Sequence, residues 1–429
     1  MRHHKDIKIS SETGFKTQLL AWAQQFDEIV WLDSNQYLQP HSSYDSILAV
    51  DAFTSIQTDA IHGFSKLKEY QSITNDWIFG YLSYDLKNDT EPLSSQNFDG
   101  LNFPDLCFFQ PKRLFLFKED KLTIRYLNVV SEEVDADLKS IETFSVQNSS
   151  SHKNNIQIES RISKNQYIKQ VSTLLSHIHR GDIYEANFCQ EFYAHADIHS
   201  LETYFKLNKI SQPPFATFLK TGDKFLLSSS PERYLKKVGL EIMSQPIKGT
   251  TRRSEHLDED ADLKTILESD PKERSENIMI VDLVRNDLSK IAQKGTVNVT
   301  ELCQIYSFKQ VHHMISTVQA KALPTISPVD IIAATFPMGS MTGAPKISAM
   351  NIIEALEATK RGLYSGTVGY FTPEGDFDFN VVIRSILYNA SKSYVSFSVG
   401  SAITSKSIPE NEYEECLVKA KAMRSVLEN

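Results

Sequence analysis

The stretch Gly366–Ser398, GTVGYFTPEGDFDFNVVIRSILYNASKSYVSFS, decides the fold class. Three of its runs, Gly366–Phe371, Phe377–Tyr388 and Ser393–Ser398, are dense in β-branched and aromatic residues and read as strands. Upstream, Tyr184–Ala194, Ala216–Leu219, Phe225–Ser229 and Leu235–Pro246 read the same way. So do Ile29–Leu32, Trp77–Tyr84 and Leu114–Leu127 nearer the N-terminus. Between them, Lys164–Arg180 carries Tyr167, Ile168, Val171, Leu174, Leu175 and Ile178 near helical spacing, and Gly181 stops it. A second helix begins at Asp270, a good N-cap, with Pro271 at its first position and Glu273 placed to complete a capping interaction. Pro409 opens a last helix running nearly to Asn429. Strands cluster between helices without regular βαβ alternation. That pattern predicts an α+β fold with antiparallel sheets.

The 429 residues suffice for one large domain or two ordinary ones. A hydrophobic fraction of 41% and a charged fraction of 23% are those of a soluble globular protein. Net charge −9 argues against a nucleic-acid partner but leaves room for an anionic substrate in a locally positive site. Cys107, Cys189, Cys303 and Cys416 show no CxxC spacing, so neither a zinc site nor a disulfide framework is expected. The N-terminus has no apolar run of the secretory type, and no stretch approaches the roughly 20 apolar residues of a membrane helix. A cytoplasmic protein without membrane contact is expected. There is no GxGxxG or GxxxxGK[ST], and hence no support for nucleotide binding. Residues 130–158 are polar, and QNSSSHKNN at their centre reads as an exposed loop.

Two ExxE pairs stand out. Glu273 and Glu276 share one face of the helix from Asp270; Glu412 and Glu415, with Lys419, share one face of the last helix. Spacing alone allows two readings: acidic first turns favoured by the helix dipole, or a site for a hard cation such as Mg²⁺. Lys248, in SQPIKGTTRR, sits between an apolar run and Gly249, which permits close approach to the backbone. Partial burial and the nearby Arg252 and Arg253 are expected to lower its pKa and make it a nucleophile. Glu232, in SSSPERYL, is placed by a turn between two strands to act as a general acid in the same cleft. FPMGSMTGAPK (Phe336–Lys346) can present backbone N–H groups to a carboxylate, Arg384 suits bidentate carboxylate binding, and Gly400 exposes backbone. Each feature alone is ordinary. Together they describe a site for a di-anion.

In order along the chain, GDIYEANFCQ, SSSPERYL, QPIKGTTRR, SENIMIVDLVRNDL, VHHMISTV, FPMGSMTGAPK, LYSGTVGY, FNVVIRSI, and VGSAIT followed by ENEYEECLVKA resemble the chorismate-utilising enzymes. That family includes anthranilate, aminodeoxychorismate, isochorismate and salicylate synthases. The matches fill most of residues 163–425, and WIFGYLSYDL (Trp77–Leu86) resembles the N-terminal region, here 1–128, of the anthranilate and aminodeoxychorismate branch. The resemblance implies a single large α+β unit of two orthogonally packed antiparallel sheets with helices outside, the two regions interleaved and 130–158 an excursion. PIKGT with lysine resembles aminodeoxychorismate synthases; anthranilate synthases typically have alanine there.

The resemblance further implies that Lys248 attacks ring carbon 2 of chorismate and that Glu232 assists departure of the 4-hydroxyl. Ammonia then gives 4-amino-4-deoxychorismate, on the route to 4-aminobenzoate and folate. Glu276 and Glu412, with Glu273 and Glu415, would hold Mg²⁺. Gly249, Thr250 and His313 would surround the ring carboxylate. Tyr364, Arg384, Gly400 and Lys419 would meet the enolpyruvyl carboxylate, and Ser340 would line the pocket. Two positions depart from the family pattern: Glu185, where this branch often has glutamine and the water-adding branch a lysine base, and Ala402, where a glycine is frequent. With no Gly-x-Cys-x-Gly elbow in the chain, ammonia would come from a separate glutamine amidotransferase subunit, and pyruvate removal would belong to another enzyme. The competing readings are anthranilate synthase component I and a non-catalytic chorismate-binding regulator.

Overall fold

A computed structural model describes residues 2–9, 12–37, 41–144, 156–309 and 311–429. The loop predicted over QNSSSHKNN lies outside these residues. The N-terminal part contains β1 (Arg2–Lys8), α1 (Glu12–Trp22), β2 (Glu28–Asp33), β3 (Ser46–Thr58), α2 (Gly63–Thr74), β4 (Ile78–Leu82), α3 (Lys87–Thr90), β5 (Leu106–Lys118), β6 (Lys121–Leu127) and α4 (Val134–Thr143). The middle continues with β7 (Glu159–Ser160), α5 (Lys164–Arg180), β8 (Glu185–His195), α6 (Ser200–Ser211), β9 (Phe215–Thr221), β10 (Lys224–Ser230), β11 (Arg233–Val238), β12 (Glu241–Gln245), β13 (Ile247–Arg252), α7 (Leu257–Ser269) and α8 (Pro271–Ser289). The last part contains β14 (Asn298–Ser307), β15 (Val311–Lys321), α9 (Pro328–Thr335), β16 (Gly343–Ala344), α10 (Lys346–Leu356), β17 (Thr367–Phe371), β18 (Phe377–Val381), β19 (Ser385–Asn389), β20 (Tyr394–Thr404) and α11 (Pro409–Glu428).

The strands form antiparallel ladders in two arms. One runs β1–β6–β5–β3–β2–β9–β10–β19–β20–β8. The other runs β3–β5–β4–β17–β18–β11–β12–β15, with β13 and β14 also on β15. The long strands β3 and β5 belong to both arms, and their register shifts between Ala52 and Thr54, next to Asp51 with φ 62°. Alternation along a strand sends neighbours to opposite faces. Val30, Ile47, Ala49, Leu116, Leu219 and Leu226 of the first arm therefore pack with Phe79, Leu106, Phe108, Phe371 and Phe379 of the second. Their neighbours Ile29, Trp31, Leu48, Phe115, Phe117, Phe218 and Leu227 pack against Leu19 and Trp22 of α1, Tyr167, Val171 and Leu174 of α5, Tyr204 of α6, and Cys416, Ala420 and Met423 of α11.

The α+β class, with antiparallel sheets packed on each other and helices outside, is the one observed. The two sheets are continuous through β3 and β5. Strands from the first 128 residues enter both arms, β2 beside β9 and β4 beside β17. Within the polar 130–158 stretch, α4 buries Val134 and Ile141 in the core.

The Lys164–Arg180 helix has the predicted bounds, with a capping box between Ser163 and Gln166 and Gly181 at φ 89°. Two single strands in the sequence reading are pairs in the structure. Leu235–Pro246 is the β11–β12 hairpin, turning at Gly239 with φ 59°. Phe377–Tyr388 breaks into β18 and β19 at Arg384, φ 52°. In both cases the break is a change of backbone hand that strand-like composition does not register. Helix α7 was not anticipated; its apolar residues are sparse, and only Asp260 and Leu267 are buried.

Asp270 caps α8 as expected, its carboxylate accepting from the Lys272 and Glu273 N–H groups at 2.8 and 3.0 Å. Replacing it with alanine is expected to cost about 1 kcal/mol, read as a lower urea midpoint at unchanged m-value.

Candidate active site

The chain passes from one sheet arm to the other at two adjacent places. Between β10 and β11 it crosses through Pro231 and Glu232; between β18 and β19 it crosses back through Val382, Ile383 and Arg384. The crossings pair: β10 lies on β19 and β11 on β18. Val381 N donates to Glu232 O at 3.0 Å, and Ser229 N donates to Arg384 O at 3.1 Å. Glu232 therefore lies between two strands, as the sequence suggested, and the turn it occupies is a sheet crossing. Its carboxyl is buried, and burial pushes its pKa to about 7 despite the Ser340 hydroxyl and the Lys248 ammonium. Arg384 holds a left-handed backbone conformation, uncommon for a non-glycine residue, where a sheet changes direction.

Lys248 lies in β13, whose pairing with β15 shifts register between Ile247 and Thr250. Gly249, φ 93°, makes that bulge. Asn277 Nδ2 of α8 donates to the Lys248 carbonyl at 3.3 Å. The Lys248 ammonium donates to Glu185 Oε1 at 2.8 Å; Glu185 is buried and the Lys248 side chain nearly so. The expected arginine neighbours are not there: Arg252 pairs with Glu259 and Arg253 with Asp260, both on α7. Carboxylates take their place. Burial alone would lower the Lys248 pKa, but Glu185, Glu276 and Glu232 outweigh it and hold the pKa above the ordinary lysine value. The expectation of a lowered pKa is thus overturned by the sign of the surrounding charge.

Beside Lys248, α8 and α11 bring their glutamates together. Burial pushes Glu276 up to about 7, with Glu185 and Glu273 adding to the shift. Burial also raises Glu273 and Glu412. Glu415 goes the other way, because Lys419 outweighs burial. All four carboxylates act on the Lys272 ammonium, which lies 3.9 Å from Glu276 Oε1. Among the described residues no three acidic, histidine or cysteine side chains already form a metal cage. The donor set nevertheless fits a hard cation: it offers only carboxylate oxygens, and Glu276 Oε1 is buried without a hydrogen-bond partner.

One open cavity of about 2260 Å³, solvent at its mouth included, is lined by Glu232, Lys248, Gly249, Thr250, Glu273, Glu276, His313, Ser340, Tyr364, Arg384, Gly400, Glu415 and Lys419. Of the residues expected at the site, only Glu412 is not in its wall; it is buried one helical turn from Glu415. His313 Nδ1 lies 2.8 Å from Thr250 Oγ1; burial and the Arg384 cation press its pKa down to about 3, so the ring is neutral. Lys419 Nζ donates to Gly400 O at 2.8 Å and to Glu415 Oε1 at 2.6 Å. A Cβ on Gly400 would lie 2.6 Å from Cys189 Sγ, so only glycine fits. Arg384 faces the cavity half-buried. The result is a pocket lined by carboxylates together with Lys248, Arg384 and Lys419, able to take an anionic substrate beside a buried acid and a lysine amine.

Sequence reasoning did not foresee the ion-pair role of Glu185, the Lys272 ammonium among four glutamates, or the Asn277 support of Lys248. Lys272 was legible in principle: it precedes Glu276 by four residues on a helix. The other two arise from contacts of β13 with β8 and with α8, elements far apart in sequence.

Several known proteins resemble the chain in sequence or in fold. The chain is 31% identical over 387 residues to aminodeoxychorismate synthase component 1 of Bacillus subtilis, covering 88% of this chain and 80% of that protein. It is 32% identical over 361 residues to anthranilate synthase component 1 of Thermus thermophilus, covering 82% and 77%. It is 35% identical to a probable chloroplastic aminodeoxychorismate synthase of rice over 84% of this chain, of which it spans 44%. The structure superposes on anthranilate synthase component I from Streptococcus pneumoniae with a TM-score of 0.77 at 27% identity, covering 90% of this chain and 94% of that one. The menaquinone-specific isochorismate synthase of Escherichia coli, at 16% identity and a TM-score of 0.77, shares the fold over 100% of this chain and 95% of its own. Among the described residues no helix is long and apolar enough to cross a membrane. The chorismate binding enzyme family matches residues 22–425, and the chain belongs to that family.

Proposed function

We propose that the chain aminates chorismate at ring carbon 4, giving 4-amino-4-deoxychorismate for 4-aminobenzoate and folate synthesis. It would do so in the cytoplasm, with ammonia supplied by a separate glutamine amidotransferase subunit. One observation carries the reading: a nearly buried lysine and a buried, protonatable glutamate, Lys248 and Glu232, line the same cavity and act on each other electrostatically. A nucleophile and an acid so placed suit covalent displacement of a poor leaving group. Lys248 Nζ bonds to ring carbon 2, the electron pair moves through the two ring double bonds, and the carbon 4–oxygen bond breaks. Glu232 gives its proton to the departing hydroxyl, which leaves as water. Ammonia then bonds to carbon 4, the electron pair returns, and the carbon 2–nitrogen bond breaks to free Lys248.

Arg384 and Lys419, with Tyr364 and the Gly400 backbone, suit the enolpyruvyl carboxylate; Gly249, Thr250 and the neutral His313 suit the ring carboxylate. Glu273, Glu276, Glu412 and Glu415 would hold Mg²⁺. When bound, the ion supplies Lewis-acid polarisation at the ring carboxylate and a template for the substrate. Anthranilate synthesis is the second reading, favoured by the similar identity to relatives of that name. Lys248 weighs against it, because amine entry at carbon 2 needs no protein nucleophile at that carbon. A chorismate-binding regulator would need neither Lys248 nor Glu232.

Incubated with chorismate, Mg²⁺ and ammonium salt, the purified chain is expected to form 4-amino-4-deoxychorismate with its pyruvyl group retained, identified by mass spectrometry. Lys248→Ala should abolish that product while still binding chorismate. Release of anthranilate by the wild type would move the chain to the other branch, and binding without turnover would favour the regulator.

Glu232 works as an acid only when protonated, and that form is present below its raised pKa of about 7. The turnover rate should therefore fall about tenfold per pH unit above about pH 7, and Glu232→Gln should cost about 10²–10⁴-fold in kcat and remove that limb.

Chelation with EDTA is expected to stop turnover reversibly. Glu276→Gln should raise the Mg²⁺ concentration needed for half-maximal rate, a change that titration of the metal at saturating chorismate will measure.

A further inference from the structure

Three carboxylates act on the Lys248 ammonium: Glu185 from the start of β8, Glu232 from the sheet crossing and Glu276 from α8. Glu273 and Glu415 act on it from farther away. Two of the three nearest have tasks. Glu232 must hold a proton for the leaving hydroxyl, and Glu276 belongs to the cation site. Glu185 has none, yet it alone among the described residues hydrogen-bonds the amine, at 2.8 Å.

Its backbone is fixed on both sides. Glu185 pairs with Ala344 of β16 and with Thr404 of β20. Its side chain is 1% exposed, and its second oxygen, Oε2, is buried without a hydrogen-bond partner. Such an oxygen is costly to leave unpartnered as an anion. Protonation of the carboxyl would relieve that cost.

Lys248, as an ammonium, has no lone pair to give to ring carbon 2. Resting on the covalent reading above, we propose that Glu185 is the base that takes the Lys248 proton as the amine attacks, and that returns it when ammonia expels the amine. The atoms balance. The ammonium and carboxylate become an amine and a carboxylic acid before the carbon–nitrogen bond forms. Glu232 supplies the separate proton that leaves with the hydroxyl. When the carbon 2–nitrogen bond breaks, Lys248 recovers its proton from Glu185, and the incoming ammonia returns one to Glu232.

The transfer lowers charge in a buried place: two ions become two neutral groups. The surrounding carboxylates outweigh burial and keep the Lys248 amine charged at rest, so its proton must leave before the carbon–nitrogen bond forms. A glutamine at this position would keep a hydrogen-bond acceptor but could not accept the proton. The lysine would then have to lose its proton to solvent before substrate bound.

The test compares wild type with Glu185→Gln across pH 6–10 at saturating chorismate and Mg²⁺. Glu232 and free ammonia titrate alike in both reactions, so the ratio of their kcat values reports Lys248 alone. At pH 7 the variant is expected to be at least about 10²-fold slower, because an ordinary lysine is almost wholly protonated there. The deficit should shrink about tenfold for each pH unit gained. Chorismate affinity, measured by equilibrium dialysis on the same preparations, should stay within about twofold; that measurement also shows the variant is folded. A ratio that is small and flat with pH overturns the proposal while leaving the covalent reading intact. A large but pH-independent deficit assigns Glu185 to positioning the amine and also overturns it. Full activity in Lys248→Ala removes the covalent reading and this inference together.

Discussion

Two backbone hydrogen bonds, Val381 N to Glu232 O and Ser229 N to Arg384 O, hold the place where strands leave one sheet and enter the other. Most of the site depends on that junction. A crossing strand cannot continue its ladder through the bend, so its polar groups need partners from the chain crossing beside it. Here each crossing supplies the other. The arrangement turns Glu232 and Arg384 into neighbours although 152 positions separate them (384 minus 232). It also explains why a non-glycine residue holds φ 52° at Arg384: the sheet pairing on either side, β18 with β11 and β19 with β10, over-determines the backbone.

The electrostatics follow from what the junction excludes. Water is scarce around Glu232, Glu276 and His313, and in each case burial is the leading cause of the shift. Carboxyls are pushed up and the histidine down, which in each case favours the neutral form. Lys248 and Lys272 escape the same fate only because carboxylates surround them. The chain as a whole carries −9, yet the pocket still offers Arg384 and Lys419 to an anion. Net charge governs the protein's behaviour at long range; the site is decided within a few ångströms.

Much of this was legible in the sequence. Gly181 and Asp270 punctuate helices through local hydrogen bonds that depend on residues a few positions apart, and such signals survive in a linear reading. The ExxE pairs were visible for the same reason. What stayed hidden is non-local. Arg252 and Arg253 stand four and five residues from Lys248, yet α7 draws both away through Glu259 and Asp260. The amine's true neighbour, Glu185, is 63 positions distant and reaches it because the fold brings the starts of β8 and β13 together. Proximity in sequence was a poor guide to charge, and the expected direction of the Lys248 shift inverted with it. The break at Arg384 was hidden for a different reason: VVIRSI is as apolar on both sides of the bend as within a straight strand.

The same reasoning bears on how far the site is ready before substrate arrives. Thr250 and His313 are joined, Lys419 is fixed to Gly400 O, a Cβ at Gly400 would collide with Cys189 Sγ, and Gly249 holds a positive φ. These contacts fix the positions of the groups. The acidic wall is different. Four glutamates share the field of one lysine on a flexible four-carbon stem, and Glu276 keeps an oxygen without a partner. An arrangement with unspent carboxylate oxygens and a mobile ammonium is held together by charge balance, not by a closed hydrogen-bond network. A divalent ion arriving with an anionic substrate would complete that balance and displace Lys272 at small cost, since the lysine has solvent within reach. Thr250, His313, Lys419 and Gly400 are thus held by hydrogen bonds, whereas the glutamates around Lys272 are held mainly by charge, and the Lys248–Glu185 pair is already enclosed between them.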